Sequence, residues 1–139
     1  MVNIALVGCN GKMGKAVTSA VQSRNDCEIV FGADPFGTPA YDYPVFESLA
    51  VSDKKADVII DFSNPASLDD ILAYALEKKI PCVLCTTGYS PEQVEKIKKA
   101  SESVAVFYSG NMSLGINLLI ELSKEAAKIL SAADFDIEI

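Results

Sequence analysis

The chain has 139 residues, half of them hydrophobic, with 12 basic and 19 acidic side chains and no histidine. That is enough to bury the core of one domain, and a net charge of −7 argues against a nucleic-acid partner, which needs clustered Lys and Arg. No apolar run approaches the ~18 residues of a membrane span, and no basic flank or cleavage-type segment marks a signal peptide.

The first apolar run, Ile4-Ala5-Leu6-Val7, leads into Gly8-Cys9-Asn10-Gly11-Lys12-Met13-Gly14, and a helical pattern follows from Lys12 to Ser23 with Met13, Val17, Ala20 and Val21 in register. A glycine-rich turn between a buried strand and a helix can hold a dinucleotide pyrophosphate. Bare main chain comes close to the phosphates, and the first free N–H groups of the helix point at the anion. A second strand, Ile29–Ala33, ends at Asp34, twenty residues past Gly14, where an acid can accept hydrogen bonds from an adenosine ribose.

A loop rich in glycine, proline and tyrosine is expected from Pro35 to Pro44, then a short helix from Val45 to Ala50. Further strands are expected at Val58–Phe62, Val83–Cys85 and Val104–Phe107, each short and nearly free of polar alternates, as in strands covered on both faces. Asn64-Pro65-Ala66-Ser67 opens a helix over Leu68–Lys78, with Asp69 and Asp70 near the positive end of its dipole. Ser90-Pro91-Glu92-Gln93 supplies an N-cap, a proline at the first helical position and a capping-box partner. The Glu92–Lys96 and Glu95–Lys99 spacings of that helix mark a solvated face.

Leu114–Leu130 reads as a long helix with a stripe of Leu118, Leu119, Leu122, Ala126 and Ile129. After it, Asp134–Ile139 alternates acid and apolar residue, the pattern of a half-buried strand of a different sheet. The chain is therefore expected to stop just inside a second domain, with residues 1–112 forming the first domain and 113–139 a hinge helix and an opening strand.

Repeated strand–helix–strand units require right-handed crossovers, so the sheet should be parallel and doubly wound, with ligands at the strands' C-terminal ends. One rim then carries Gly8, Asp34, Phe62-Ser63-Asn64, Cys85-Thr86-Thr87-Gly88 and Ser109-Gly110-Asn111-Met112. Cys82 and Cys85 have C-x-x-C spacing but lie in a strand-like run, where positions three apart face opposite sides. With no histidine to complete a metal site, the four cysteines read as reduced core thiols, which suits a cytoplasmic setting.

Val7–Gly14, Asp61-Phe62-Ser63-Asn64-Pro65, Thr86-Thr87-Gly88-Tyr89 and Ser109–Asn117 together closely resemble the 4-hydroxy-tetrahydrodipicolinate reductase family, in the right order along the whole chain. The resemblance implies an α/β fold, a Rossmann-like doubly wound parallel sheet joined to a second, α+β domain. It implies NAD(P)H-dependent reduction of a small cyclic dicarboxylate in lysine and diaminopimelate biosynthesis, and a homotetramer built through the second domain.

The resemblance assigns the turn of Gly8, Cys9, Asn10, Gly11, Lys12 and Met13 to the pyrophosphate and Asp34 to the ribose. Cys85, Thr86 and Thr87 would line the nicotinamide side, with Thr87 a candidate for the carboxamide, and Ser109, Gly110, Asn111 and Met112 would pack by the nicotinamide at the hinge. Cys85 stands where the family more often has glycine, and Met112 where it commonly has phenylalanine. The family's histidine pair, lysine and Gly-Thr turn, which bind and protonate the substrate, are expected beyond Ile139, so the chain alone is expected to keep the cofactor site and be inactive.

Asp34 repels a 2′-phosphate, and Pro35 stands where an arginine would help to bind one, while Lys12 partly offsets the repulsion. NADH is therefore the expected cofactor, with NADPH tolerated. Plainer readings stand beside these: a tight strand–helix turn for the glycines, a solvated charge for Lys12, a loop exit for Thr86-Thr87-Gly88. Cys9 has no evident chemistry. Tyr41 and Tyr43 either pack on the loop or stack on adenine. Two other functions share the glycine turn, a homoserine or semialdehyde dehydrogenase and a non-catalytic NADH-binding module.

Overall fold

Buried strands alternating with one-sided helices leave one economical arrangement, a single parallel sheet with a helix after most strands. The computed structural model describes residues 1–36, 41–133 and 135–138. Its strands are β1 (Val2–Val7), β2 (Cys27–Ala33), β3 (Val45–Phe46), β4 (Val58–Asp61), β5 (Cys82–Leu84) and β6 (Val106–Tyr108). Its α-helices are α1 (Lys12–Gln22), α2 (Leu68–Lys78), α3 (Pro91–Ser101) and α4 (Leu114–Ser131).

All neighbouring strands are parallel, in the order β3-β2-β1-β4-β5-β6. The chain works outward from β1 to β3, then crosses back and works outward the other way from β4 to β6. The order thus reverses between β1 and β4, which opens a crevice at their C-terminal ends. This is the Rossmann-like α/β sheet expected from the sequence.

Period-two alternation sorts the core onto two faces. Ile4 and Leu6 of β1 join Ile29 against Val17 and Val21 of α1. Ala5 and Val7 point the other way, joining Phe31, Ile59 and Leu84 against α2 and α3. From α2, Leu68, Ile71 and Leu72 are buried there, each contributing about 1.5–3 kcal/mol before entropy is counted.

Most element ends fall within a residue or two of those expected, and two expectations are corrected. Val45–Ala50 is not a short helix: Val45 and Phe46 form β3 beside Gly32 and Ala33, and only Leu49–Val51 make a turn of 3-10 helix. The β3 ladder is set by a partner outside the segment, with Gly32 N–H donating to Pro44 O and Asp34 N–H to Phe46 O, both at 2.9 Å. The ion pairs of α3 also differ. Lys96 reaches Asp69 on α2 at 2.7 Å and Lys98 pairs with Glu95 at 2.5 Å, instead of Glu92–Lys96 and Glu95–Lys99. All four side chains are more than half exposed, so the choice among such partners carries under ~1 kcal/mol.

Residues 135–138 have no strand assignment, and Asp134 and Ile139 lie outside the described residues; a strand needs a ladder partner, and none is present among the described residues. Part of the Pro35–Pro44 loop, residues 37–40, also lies outside them. In α4 no described residue is buried, and Leu114, Leu118, Leu119 and Ile129 are 58% to 85% exposed. Among the described residues no helix is long and apolar enough to cross a membrane.

Candidate functional site

The rim of the sheet is built from the turns that end its strands. β1 stops where Gly8 takes φ +74°, a left-handed conformation that disfavours a side chain. A Cβ there would lie 2.6 Å from Phe62 O, so the β1 turn sits directly on the turn after β4. Gly14, inside α1, is equally constrained: a Cβ would overlap Gly8 O and come within 2.5 Å of Cys9 Cα. Gly11 differs. It has extended backbone (φ −70°, ψ 172°), and a Cβ would meet only Gly8 O at 3.3 Å. The fold requires glycine at 8 and 14 but not at 11.

Gly11 is also the N-cap of α1, and among the described residues no side chain caps that helix or places an acid in its first turn. Elsewhere the chain does cap: Asn64 accepts from Ala66 N–H before α2, Ser90 and Gln93 form a complete capping box on α3, and Ser113 accepts from Ile116 N–H on α4. The start of α1 is thus a set of N–H groups with a positive field and no resident acceptor side chain.

Asp34, just past β2, fastens this turn to the next loop. Its Oδ2 accepts from Asn10 N–H at 3.0 Å and its Oδ1 from Phe36 N–H at 2.9 Å, while Asn10 Nδ2 donates to Phe36 O at 2.6 Å. Beneath the turn, the stacked rings of Tyr41 and Tyr43 lie 4.8 Å apart. Tyr41 donates to Cys9 O at 2.8 Å, and the Tyr43 hydroxyl lies 2.8 Å from that of Thr18 on α1. The two tyrosines pack on the α1 face and line neither hollow described next, so packing is their observed role.

Two hollows run along the rim. The first, of about 720 Å³, is lined by Gly8, Asn10, Gly11 and Asp34 together with Phe62 and Ser63. The second, of about 610 Å³, is lined by Met13, Phe62, Ser63, Cys85, Thr86 and Thr87, and by Ser109, Gly110, Asn111 and Met112. Phe62 and Ser63 border both, so the hollows meet at the point where the strand order reverses. In the second hollow the Thr86 hydroxyl is buried and has no hydrogen-bond partner among the described residues, a condition that costs about 1–3 kcal/mol unless a ligand or water meets it.

Every site residue expected from the sequence borders one hollow or both, except Cys9 and Lys12. Cys9 turns its side chain into the core, where its sulfur would lie 2.6 Å from a Cβ on Gly32. Burial first, then the Asp34 carboxylate, push its thiol up to about 11, so it stays protonated and unreactive at neutral pH. Cys85 is likewise pushed up to about 11, by burial and then by Asp61. Lys12 is exposed. Among the described residues no three His, Cys, Asp or Glu side chains gather as a metal site would need.

The structure adds residues that sequence reasoning passed over. Phe36, 72% exposed, borders the first hollow with Glu47, Leu49 and Asp70. Glu47 and Leu49 arrive through the β3 ladder, which no local pattern announced. Asp70 was legible only as a favourable charge near the start of α2.

The family described as "Dihydrodipicolinate reductase, N-terminus" matches residues 2–112. Over all 139 residues the chain is 50% identical to a 4-hydroxy-tetrahydrodipicolinate reductase of Clostridium tetani and 44% identical to one of Caldanaerobacter subterraneus subsp. tengcongensis, covering 54% of each. The chain therefore spans about half the length of the curated relatives it matches. Among solved structures, a dipicolinate-bound dihydrodipicolinate reductase from Paenisporosarcina sp. TG-14 superposes with a TM-score of 0.75 at 25% identity, covering 91% of this chain and 54% of that one.

Proposed function

We propose, since this chain belongs to the dihydrodipicolinate reductase N-terminal family, that it is the nicotinamide-dinucleotide-binding domain of an NAD(P)H-dependent oxidoreductase. The whole protein reduces 4-hydroxy-tetrahydrodipicolinate to tetrahydrodipicolinate in lysine and diaminopimelate biosynthesis. The observation that carries this reading is the pair of hollows meeting at Phe62 and Ser63, beside an α1 N-terminus with no side-chain cap.

The residues present fit such a ligand. Main-chain N–H groups of Lys12, Met13 and Gly14 in the first turn of α1 hold the diphosphate, and Gly11, whose own N–H donates to Gly8 O at 3.1 Å, leaves room for its approach. Asp34 orients the adenosine ribose, with Phe36 and Leu49 beside the adenine. Thr87 and the unpartnered hydroxyl of Thr86 take the nicotinamide carboxamide, and Cys85 with Ser109–Met112 closes the far end. When bound, the reduced nicotinamide supplies a hydride to the cyclic dicarboxylate. The residues of this chain bind and orient the carrier and screen it from water; with no histidine in the sequence, the family's histidine pair is not among them.

We place residues 1–112 in the dinucleotide domain and 113–139 in the hinge helix and first strand of a second domain, through which the whole protein forms a tetramer. The matched range 2–112 and the complete exposure of the α4 apolar stripe support that division.

NADH is preferred over NADPH. Asp34, Glu47 and Asp70 all border the first hollow, and among the described residues no Lys or Arg does, so a 2′-phosphate would enter an acidic surround. One such like-charge contact at 4 Å costs about 1–4 kcal/mol between bulk-water and surface dielectrics. Calorimetric titration is expected to give NADH at least about tenfold tighter than NADPH, and Asp34→Asn should narrow the gap to about threefold or less. Tighter binding of NADPH to the unmodified chain would contradict the assignment.

A further inference from the structure

We infer that Asp61 is a positioning residue for the nicotinamide end of the site, holding two strand-exit segments at a set separation; the inference rests on the cofactor reading above. Asp61 ends β4 and is fully buried, yet it borders neither hollow. Its main-chain carbonyl accepts from Cys85 N–H at 3.0 Å, fixing the start of the loop after β5. The same loop ends at Tyr89, whose hydroxyl donates to Asp61 Oδ2 at 3.1 Å. The other carboxylate oxygen, Oδ1, accepts from Ser63 N–H at 2.9 Å and from the Ser63 hydroxyl at 2.5 Å.

One residue therefore fastens both ends of the 85–88 loop and the Phe62–Ser63 turn, the two segments that face each other across the second hollow. Burying a carboxylate is costly, and among the described residues no Lys or Arg pairs with Asp61. The cost is offset by the three hydrogen bonds to its carboxylate. Asparagine in the same place would keep an acceptor for only one of Ser63 and Tyr89, meet the other with an amide donor, and remove the charge. Burial and then the Asp61 charge push the Tyr89 phenol up, which keeps it a donor.

Between the two anchors, Gly88 has φ +83°, and a Cβ there would meet nothing within 4 Å, so the loop turns at Gly88 without packing against a neighbour there. The Tyr89 ring also lies 5.5 Å from that of Tyr108, extending the brace to the exit of β6, where Ser109–Met112 complete the hollow.

The test compares NADH with ADP-ribose, which has the adenosine and diphosphate but no nicotinamide, on the unmodified chain and on Tyr89→Phe and Asp61→Asn, with thermal melts alongside. Tyr89→Phe keeps the ring and loses only the anchoring hydroxyl. Both variants are expected to raise the Kd for NADH about tenfold while the Kd for ADP-ribose stays within about twofold. Equal weakening of both ligands, or unchanged NADH affinity in a folded Tyr89→Phe chain, would overturn the inference, as would an unmodified chain that binds both ligands equally. If Asp61→Asn does not fold, Tyr89→Phe decides alone. An unmodified chain that binds neither ligand removes the cofactor reading, and this inference with it, before any variant is measured.

Discussion

Gly11→Ala is expected to leave the fold standing and to weaken NADH binding by about 10- to 100-fold, the worth of one or two hydrogen bonds to a charged group. The backbone at Gly11 is in an ordinary extended conformation, and a methyl there meets only Gly8 O at 3.3 Å. Losing glycine's extra freedom in the unfolded chain stabilises by about 0.4–1 kcal/mol. Alanine is a poorer N-cap than glycine by a similar small amount, so the two nearly cancel. The melting temperature should move by no more than about 3 °C. The methyl instead occupies the approach to the first turn of α1. Calorimetry beside a thermal melt checks both halves, and unchanged affinity in the variant would mean that no phosphate comes close to this turn.

Gly14→Ala should do the reverse, acting on the fold first. Within a helix, alanine is ordinarily better than glycine by about 1 kcal/mol, so propensity alone predicts a gain. Here the methyl would overlap the carbonyl of Gly8 and the main chain of Cys9, neither of which is a flexible side chain that can swing away. Separating α1 from its own entry turn is expected to cost about 3 kcal/mol, lowering the melting temperature by roughly 10 °C. NADH binding should fall with it, because the displaced turn is the one proposed to receive the diphosphate. A melting temperature at or above that of the unmodified chain would show that the turn has slack the packing does not reveal.

How far the sequence could be read followed from how local each cause was. β1, α1, β2 and Asp34 were legible because each carries its own signal: an unbroken apolar run, a one-sided helical stripe, a terminal acid. The capping box of Ser90 and Gln93 was legible for the same reason, since both its hydrogen bonds lie within four residues. β3 was not, because two residues have no period and become a strand only through the exposed edge of β2. The partners of Lys96 and Glu95 were misread because exposed charged groups choose among partners of nearly equal worth, including Asp69 on a neighbouring helix for Lys96 and Lys98 for Glu95.

At the site, the glycine and threonine turns were legible from their places at strand ends. Cys9 was assigned to the rim by its place between Gly8 and Asn10, but its side chain turns into the core behind Gly32. Leu49 and Asp70 reach the first hollow only through folding of distant segments, while Phe36 is held there by the neighbouring Asp34. Asp61 lay inside a noted motif, yet its two-pronged hold on Ser63 and Tyr89 depends on β4 and β5 lying side by side.

The proposed role of the glycine turn is to receive a dinucleotide diphosphate on its main-chain N–H groups. Amide spectra of the isotopically labelled chain, recorded as NADH is added, test this most directly. The largest shifts are expected at Gly11, Lys12, Met13 and Gly14, with further shifts at Asp34, Ser63, Thr86 and Thr87 along the same rim. Shifts confined to other surfaces, or unmoved amides from Gly11 to Gly14 at saturating NADH, would contradict it.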